Sequence, residues 1–296
     1  MIRAGTCSWT EKTLINSGEF YSKEASTAEG MPVKKMIKPE YSHPIGIIAA
    51  VEGEIKELKK NVFKIEEGNI GKGTYLRGRL KGKELVIARS GAGISRAKYL
   101  ATEMVDTFSP RIIISTGSCG ALQEQINRED VIIGDEILFK RGGIAEGERN
   151  YIETFLPDRA VNKKVYDYLK GSSHSSVHLG RIISIGKFIY QKKTKEELYN
   201  RYKAIAVEME SGGIAQVAKE KGVPFIAVKV VSDDLRGKLV DYNKVADYNG
   251  NLVLKKMVPY FLTKPWEALW AVKFYFALQR VYKKLYELQN IMLEVI

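Results

Sequence analysis

The stretch Ile205–Ile214, which reads IAVEMESGGI, joins two kinds of pattern within a few residues. It begins with an apolar run that is typical of a buried strand, and the apolar positions that follow at Ala215 and Ala218 have helical spacing. Two acidic residues, Glu208 and Glu210, lie at the junction. Because a charge at the end of a strand buried on both faces needs a partner, the stretch predicts chemistry where strand and helix meet.

Outside this stretch, short apolar runs alternate with helical patterns. The predicted strands lie at 45–51, 111–122, 130–139, 181–186, 204–211 and 224–233. We expect the strand over 111–122 to end in a Gly/Ser turn. The segments TYLRGRL and ELVIARS flank Gly82 and predict a β-hairpin that turns at this glycine. Strands that alternate with helices predict an α/β fold: a single three-layer domain with a mixed, mostly parallel twisted sheet flanked by helices, plus a C-terminal helical extension.

Composition divides the chain into three segments. We expect an N-terminal appendage or linker over 1–43, a main domain over 44–262 and an amphipathic helical extension over 263–296. The extension carries many aromatic residues in WEALWAVKFYFAL and has lysines on either side. We expect it to pack on the domain or across a dimer, and the alternative is peripheral contact with a membrane surface.

The 296 residues carry a net charge of +12, which would favour a nucleic-acid partner if the basic residues were clustered. They are instead mixed with acids, as in EGEIKELKK, so we interpret the charge as that of a lysine- and glutamate-rich surface and expect no nucleic-acid partner. The sequence has neither a signal-peptide core nor an apolar run of about 18 residues. Cys7 and Cys119 form no disulfide or metal pattern, so we expect a cytoplasmic protein.

Polar or glycine-rich residues follow several of the predicted strands. They are Val51–Glu54, Ser90–Gly93, Thr116–Gly120 and Ser232–Asp234, in addition to Glu208–Glu210. Because ligands bind outside the carboxyl ends of parallel strands, these segments predict a ligand site rich in carboxylates, hydroxyls and backbone N–H groups. Each segment alone also has an ordinary interpretation as a tight turn or a helix N-cap.

The three histidines do not suggest a metal site. His43, His174 and His178 fall in loop-like stretches without neighbouring cysteines or an acidic ligand pattern. None of them belongs to the polar strand ends, so a Ser-His-Asp triad is not expected either. We therefore expect no metal and no cofactor.

Six motifs occur in the order and spacing of a known family. They are GIIAAVEGEIKEL, SGAGISRAK, IISTGSCGAL, VIIGDE, AVEMES and VVSDD. Over about residues 44–262 the chain resembles the nucleoside phosphorylase/nucleosidase superfamily, in particular its methylthioadenosine/S-adenosylhomocysteine nucleosidases. The tail also resembles the branch associated with hopanoid lipid synthesis. Residues 1–29 resemble a fragment of an unassigned TIM-barrel family, from which we infer no activity because a barrel needs eight strands.

The resemblance implies opposite proton-transfer roles for two acids. Glu54 matches the carboxylate that takes a proton from water as the water attacks ribose C1′. Asp233 matches the general acid that protonates purine N7, with Ser232 holding it. Gly117 and Ser118 match the turn that faces the water or phosphate. The implied reaction is the hydrolytic release of adenine from a 5′-substituted adenosine such as methylthioadenosine or S-adenosylhomocysteine.

Other matched residues are implied to bind the nucleoside. Glu210 matches the acid that accepts hydrogen bonds from the ribose 2′- and 3′-hydroxyls. Met209 matches a residue packed on the sugar, and Phe188 matches an aromatic residue that stacks on the base. We interpret Glu208 as an anchor for the turn or for a neighbouring sugar hydroxyl rather than as a catalytic residue. The resemblance also implies a homo-oligomer, most simply a dimer.

The sequence leaves alternatives open. Phosphorylases of this superfamily hold phosphate with arginines, and Ser115 stands at one of those positions, which favours water as the nucleophile. Arg96 remains a candidate phosphate ligand. The alternatives are a phosphorylase acting on an adenosyl-lipid or another 5′-modified nucleoside, a futalosine-type hydrolase, and a nucleoside-binding protein without catalysis.

Overall fold

Strands of the described residues form one mixed sheet. The computed structural model describes residues 43–141, 151–171, 176–247 and 253–296. The strands are β1 (Ile45–Ala49), β2 (Phe63–Ile70), β3 (Gly73–Leu80), β4 (Lys83–Arg89), β5 (Ile112–Ala121), β6 (Val131–Arg141), β7 (Tyr151–Phe155), β8 (Val177–Ser184), β9 (Ala206–Glu208) and β10 (Phe225–Asp233). β1 lies between β4 and β5 and is parallel to both.

Part of this sheet closes on itself. β10 pairs in parallel with β5 and antiparallel with β6, while β8 is parallel to both β6 and β9. β9 then returns to β5 in antiparallel orientation, so these five strands form a ring. The register places Asp233 opposite Gly120 and Glu208 opposite Ser184, so several of the polar strand ends meet on this ring.

The predicted hairpin is confirmed. β3 and β4 are antiparallel with Leu80 opposite Lys83, and Lys81 and Gly82 between them have φ values of 51° and 74°. Positive φ at both central residues is type I′ geometry, which matches the twist of the flanking strands. β2, which the sequence pattern did not predict, adds a third antiparallel strand. Most of its residues are exposed, so it lacks the apolar alternation that identifies a strand.

Helices cover both faces of the sheet, as predicted. They are α1 (Lys56–Asn61), α2 (Ile94–Phe108), α3 (Arg159–Gly171), α4 (Lys192–Tyr202), α5 (Ser211–Lys221), α6 (Tyr242–Val245), α7 (Leu254–Thr263) and α8 (Pro265–Val295). One core packs α2 and α5 on the sheet through Leu100, Met104, Ile214 and Val217. A second core packs α1, α3 and α8 on the other face. Apolar burial on both faces supplies the main stabilisation of such a fold.

The last helix has two different halves. Its C-terminal half contributes Val281, Leu285, Leu288 and Met292 to the second core at helical spacing. Its N-terminal half leaves apolar side chains more than half exposed, namely Trp266, Leu269, Val272, Tyr275 and Phe276. In the described part of the chain, none of the helices has the length and hydropathy that a membrane crossing requires.

Two local predictions are wrong. β5 does not end in a Gly/Ser turn but continues to Ala121, because β10 pairs with it through Gly120. His178 lies in β8 rather than in a loop, and its Nε2 is 2.9 Å from Asp130 Oδ2. Except for His43, the appendage predicted over 1–43 lies outside the described residues, as does His174.

Candidate active site

Glu54 lies just after β1 and is held by uncharged donors. Its Oε2 accepts hydrogen bonds from the backbone N–H groups of Ala50 and Val51 at 3.0 and 3.2 Å. Its Oε1 accepts from the backbone N–H and the hydroxyl of Ser118, both at 2.8 Å. The residue is buried. Donors of this kind fix the orientation of the carboxylate without placing an ammonium group beside it.

Two further features fix the position of Glu54. Gly117 has a φ of 139°, and a Cβ there would lie 2.9 Å from the carboxylate oxygens, so glycine allows β5 to approach this closely. On the other side, the buried Gln289 of α8 donates from Nε2 to the backbone carbonyl of Glu54 at 2.8 Å. The ring of Tyr282 packs so closely on Gly53 that a Cβ there would lie 2.4 Å from it. The C-terminal helix therefore supports the segment that carries Glu54.

Glu208 is surrounded by protein donors. It accepts hydrogen bonds from the Ser184 hydroxyl, from the backbone N–H of Glu210 at 3.0 Å and from the hydroxyl of Ser211 at 2.9 Å. Its Oε2 also lies 3.1 Å from Lys229 Nζ, and both side chains are fully buried. Burial alone would raise the pKa of Glu208, but the Lys229 ammonium and these hydrogen bonds hold it below its ordinary value. Burial would lower the pKa of Lys229, and Glu208 in turn holds it above its ordinary value.

Glu210 has a different environment. Its Oε1 accepts from the backbone N–H of Gly93 at 2.9 Å, and its Oε2 accepts from the backbone N–H of Met209 at 3.2 Å. Burial, followed by the charge of Glu208, raises the pKa of Glu210 to about 8. The carboxyl group therefore holds a proton at neutral pH and would ionise when further hydrogen-bond donors reach it.

Asp233 ends β10 opposite Gly120. Its Oδ1 lies 2.6 Å from the Ser232 hydroxyl, which is also 3.1 Å from the Cys119 carbonyl oxygen. Its Oδ2 accepts a hydrogen bond from the ammonium group of Lys195 on α4. Both side chains of this ion pair are almost completely buried, at 1% and 2% exposure. A Cβ on Gly120 would lie 2.8 Å from Oδ2, so the missing side chain makes room for the pair.

β5 separates the two acids that the sequence singled out for proton transfer. Gly117 approaches Glu54 and Gly120 approaches Asp233, three residues further along the strand. At about 3.3 Å per residue, these two glycines are roughly 10 Å apart along the strand. The charge of Glu54 also contributes to the raised pKa of Glu210, so Glu210 lies within electrostatic reach of Glu54. Glu54 and Asp233 thus both lie against β5, and Glu210 lies near Glu54.

Aromatic residues line one side of this region. The ring of the half-buried Phe188 lies 5.5 Å from that of Tyr242 and 6.5 Å from that of Phe274 on α8, measured between centroids. Burial raises the pKa of Tyr242 to about 12. Burial, followed by the charge of Glu54, also raises the pKa of Tyr282. The aromatic residues therefore extend from Phe188 to the neighbourhood of Glu54, and α8 supplies two of them.

The structure brings the sequence-predicted residues into three groups. The first contains Glu54, Gly117 and Ser118, the second Glu208, Met209 and Glu210, and the third Ser232 and Asp233. Phe188 belongs to the aromatic cluster with Tyr242. Three buried residues that contact these groups were missed, namely Lys195, Lys229 and Gln289. Only Lys229 had a sequence signal, because a charge inside the apolar run of β10 requires a partner.

Two residues bear on phosphate binding. Ser115 is fully buried, and its Oγ lies 2.9 Å from Ser211 Oγ and 3.0 Å from Lys229 Nζ. Arg96 lines a cavity of about 600 Å³ together with Gly93, whose backbone N–H binds Glu210. Within the described ranges, no group of three or more metal-binding side chains is present.

Comparison with known proteins gives one family. Residues 44–253 match the phosphorylase superfamily. The 5′-methylthioadenosine/S-adenosylhomocysteine nucleosidase of Staphylococcus epidermidis is 31% identical over 201 residues, which cover 66% of this chain and 88% of that protein. The protein of the same name from Listeria innocua is 34% identical over 200 residues, with coverage of 64% and 85%.

Solved structures with low sequence identity share the fold. The 5′-methylthioadenosine/S-adenosylhomocysteine nucleosidase of Neisseria meningitidis, in complex with methylthio-immucillin-A, matches with a TM-score of 0.67 and 20% identity over 86% of this chain and 100% of that one. Futalosine hydrolase of Helicobacter pylori matches with a TM-score of 0.66 and 20% identity over 86% of this chain and 98% of that one.

Proposed function

The chain belongs to the phosphorylase superfamily, and from this premise we propose that it hydrolyses the N-glycosidic bond of a 5′-substituted adenosine and releases adenine. Methylthioadenosine and S-adenosylhomocysteine are the proposed substrates, in keeping with the names of its relatives. The observation that carries the proposal is that Glu54 lies against Gly117 and Asp233 against Gly120 of the same strand, β5, with Glu210 near Glu54.

The proposed reaction uses these three acids in different ways. Glu54 takes a proton from a water molecule, whose oxygen forms a bond with ribose C1′. The bond between C1′ and N9 breaks, its electron pair passes to the purine, and Asp233 gives a proton to N7 so that neutral adenine leaves. General acid and general base catalysis each contribute roughly 10²- to 10⁴-fold to such rates.

Glu210 is proposed to bind the ribose diol. Two hydroxyl donors match the two oxygens of one carboxylate, and their hydrogen bonds favour its ionised form. The resulting negative charge stabilises the positive charge that develops on the sugar as the base leaves. Met209 is proposed to pack on the sugar and Phe188 on the base. Glu208 is proposed to anchor this segment through Lys229.

Water is favoured over phosphate as the nucleophile. At Ser115, where phosphorylases of the superfamily have an arginine, the hydroxyl already contacts Ser211 and Lys229. The second candidate is a phosphorylase. The observation that favours it is the cavity beside Gly93, whose lining includes Arg96 and Lys98, because guanidinium and ammonium groups are suited to a phosphate dianion. A futalosine-type hydrolase would cleave the same kind of bond in a different 5′-modified nucleoside.

We also propose a cellular setting. Hydrolysis of methylthioadenosine would serve methionine salvage, and we propose that the chain acts in the cytoplasm as a homodimer.

The exposed apolar residues of α8 support an additional peripheral contact with anionic lipid. Over residues 253–286 the only acidic residue is Glu267, which is buried, whereas seven residues are Lys or Arg. In a flotation experiment, the protein should rise with vesicles of anionic lipid. Protein that stays at the bottom of the gradient with anionic and neutral vesicles alike would contradict this contact.

A panel of 5′-modified adenosines, incubated with and without phosphate, tests the function. We expect adenine release that needs no phosphate, and D233N should retain ligand binding but lose release. Strict dependence on phosphate would instead identify a phosphorylase. Tight binding of a nucleoside without any release would identify a binding protein.

A further inference from the structure

Lys195 is the one cation that the structure places in hydrogen-bond contact with Asp233 among the described residues. It comes from α4, which is otherwise outside the proposed machinery. We propose that Lys195 is a positioning residue for the hydrolysis: it fixes the orientation of Asp233 and stabilises the carboxylate that is left when the Asp233 proton has passed to purine N7. This inference rests on the proposed function.

The geometry restricts Asp233 at both oxygens. Lys195 holds Oδ2, and the Ser232 hydroxyl lies 2.6 Å from Oδ1. Gly120 makes this arrangement possible, since a Cβ there would lie 2.8 Å from Oδ2 and 3.3 Å from Lys195 Nζ. A carboxyl group with both oxygens engaged has little rotational freedom, so its proton is presented in one direction.

The groups that face Asp233 from the surrounding elements leave Lys195 as its direct counter-charge. From β5 comes Cys119, whose thiol stays neutral because burial, followed by the charge of Asp233, raises its pKa. Lys229 of β10 is within electrostatic reach of the same thiol, but its ammonium is bound to Glu208 of β9. Lys229 therefore pairs with the anchoring acid Glu208, and Lys195 pairs with Asp233, the acid proposed for proton transfer.

Burial of the Lys195–Asp233 pair lowers the stability of the fold, because both charged groups lose their hydration. Replacing a buried ion pair by apolar residues of similar volume often leaves a protein equally stable or more stable. The exposed Lys193 on the same helix shows the ordinary alternative for a lysine in this segment. A role in the reaction explains why an ammonium group occupies a position that a leucine or methionine could fill.

The proposed step balances without a further reactant. In the proposed step, Asp233 first takes up a proton from solvent beside the Lys195 ammonium. As the bond between C1′ and N9 breaks, the proton passes to N7, and an ammonium–carboxylate pair remains. Glu54 then releases to solvent the proton that it took from water. Lys195 keeps its charge throughout and lies in contact with the Asp233 carboxylate that remains after the transfer.

The test compares the pH profile of adenine release by the native enzyme, K195M, K195R and the exposed control K193M. In K195M we expect the maximal kcat to fall about tenfold. The alkaline limb of the kcat–pH profile should move to higher pH by about one unit, because the Asp233 carboxyl group loses its adjacent cation. K195R keeps the charge and should retain the native position of the limb. K193M should match the native profile.

The possible failures are distinguishable. A K195M profile that coincides with the native one would overturn the inference while leaving the function intact. The same holds for a uniform loss of activity without movement of the limb, which would indicate a purely structural ion pair. If the native protein and K193M release no adenine, the proposed function fails, and the role of Lys195 fails with it.

Discussion

The two acids at the end of β9 lie two residues apart, yet their surroundings differ in almost every respect. Glu208 is paired with the Lys229 ammonium and accepts hydrogen bonds from hydroxyl and backbone groups, so its pKa is lowered against the effect of burial. Glu210 accepts hydrogen bonds from two backbone donors and has no salt-bridge partner among the described residues, and burial raises its pKa to about 8. The difference shows how one short segment provides both an anchor and an acid that can respond to a ligand.

The largest expected effect is a difference in protein stability between substitutions of Glu208 and Glu210. E208Q leaves the ammonium of Lys229 buried without its counter-charge, and we expect the free energy of unfolding at pH 7 to fall by about 3–5 kcal/mol. E210Q replaces a carboxyl group that is already neutral at that pH, so the change should stay within about 1 kcal/mol. Urea unfolding measures both.

A second substitution checks the cause of the first effect. K229M in the E208Q background removes the stranded charge and should restore part of the lost stability. Equal destabilisation by E208Q and E210Q would contradict the division between anchor and ligand-responsive acid.

The next effect separates the acids by activity. In E210Q an amide supplies one acceptor oxygen where the carboxylate supplies two, so one ribose hydroxyl loses its acceptor. We expect kcat/KM for adenine release to fall about a hundredfold, since a hydrogen bond to a charged group contributes about 1.5–3 kcal/mol. Native-like kcat/KM in E210Q would show that Glu210 does not bind the ribose diol.

The smallest of the three effects concerns pH. Because the pKa of Glu210 is about 8 and the ribose diol favours the ionised form, binding near neutral pH should release a proton. Affinity should therefore rise up to about tenfold per pH unit and level off above about pH 8. A 7-deaza nucleoside is the suitable ligand, since it has no N7 to which Asp233 could give a proton.

Calorimetry in two buffers of different ionisation enthalpy measures this proton directly. Release in the native protein and none in E210Q is the expected pair of results. Proton uptake on binding, or equal release in both proteins, would show that another group titrates.

The sequence predicted the α/β class, most strand positions and the acids of the site, because strand ends of parallel sheets concentrate ligand-binding groups. It did not predict the ring formed by β5, β10, β6, β8 and β9, since β10 pairs with two strands far away in sequence. It also predicted a Gly/Ser turn at the end of β5, because Gly117 and Gly120 give this part of the strand the composition of a turn.

The cations of the site were harder to predict. Lys229 interrupts an apolar run, and this charge could have been matched with Glu208 in advance. Lys195 lies in KKTKEEL, where its neighbours Lys192 and Lys193 are exposed, so only tertiary placement distinguishes it. Gln289 is more than two hundred residues from Glu54, and no local pattern connects a polar position on α8 with a carboxyl group after β1.

The most direct test of the central claim follows the oxygen that reaches C1′. Methylthioadenosine is incubated with the native protein in phosphate-free buffer containing H₂¹⁸O, and the sugar product is examined by mass spectrometry. We expect stoichiometric adenine and a free sugar that carries the label at C1, with both products lost in E54Q. Absence of adenine until phosphate is added, with unlabelled sugar 1-phosphate as the product, would contradict hydrolysis.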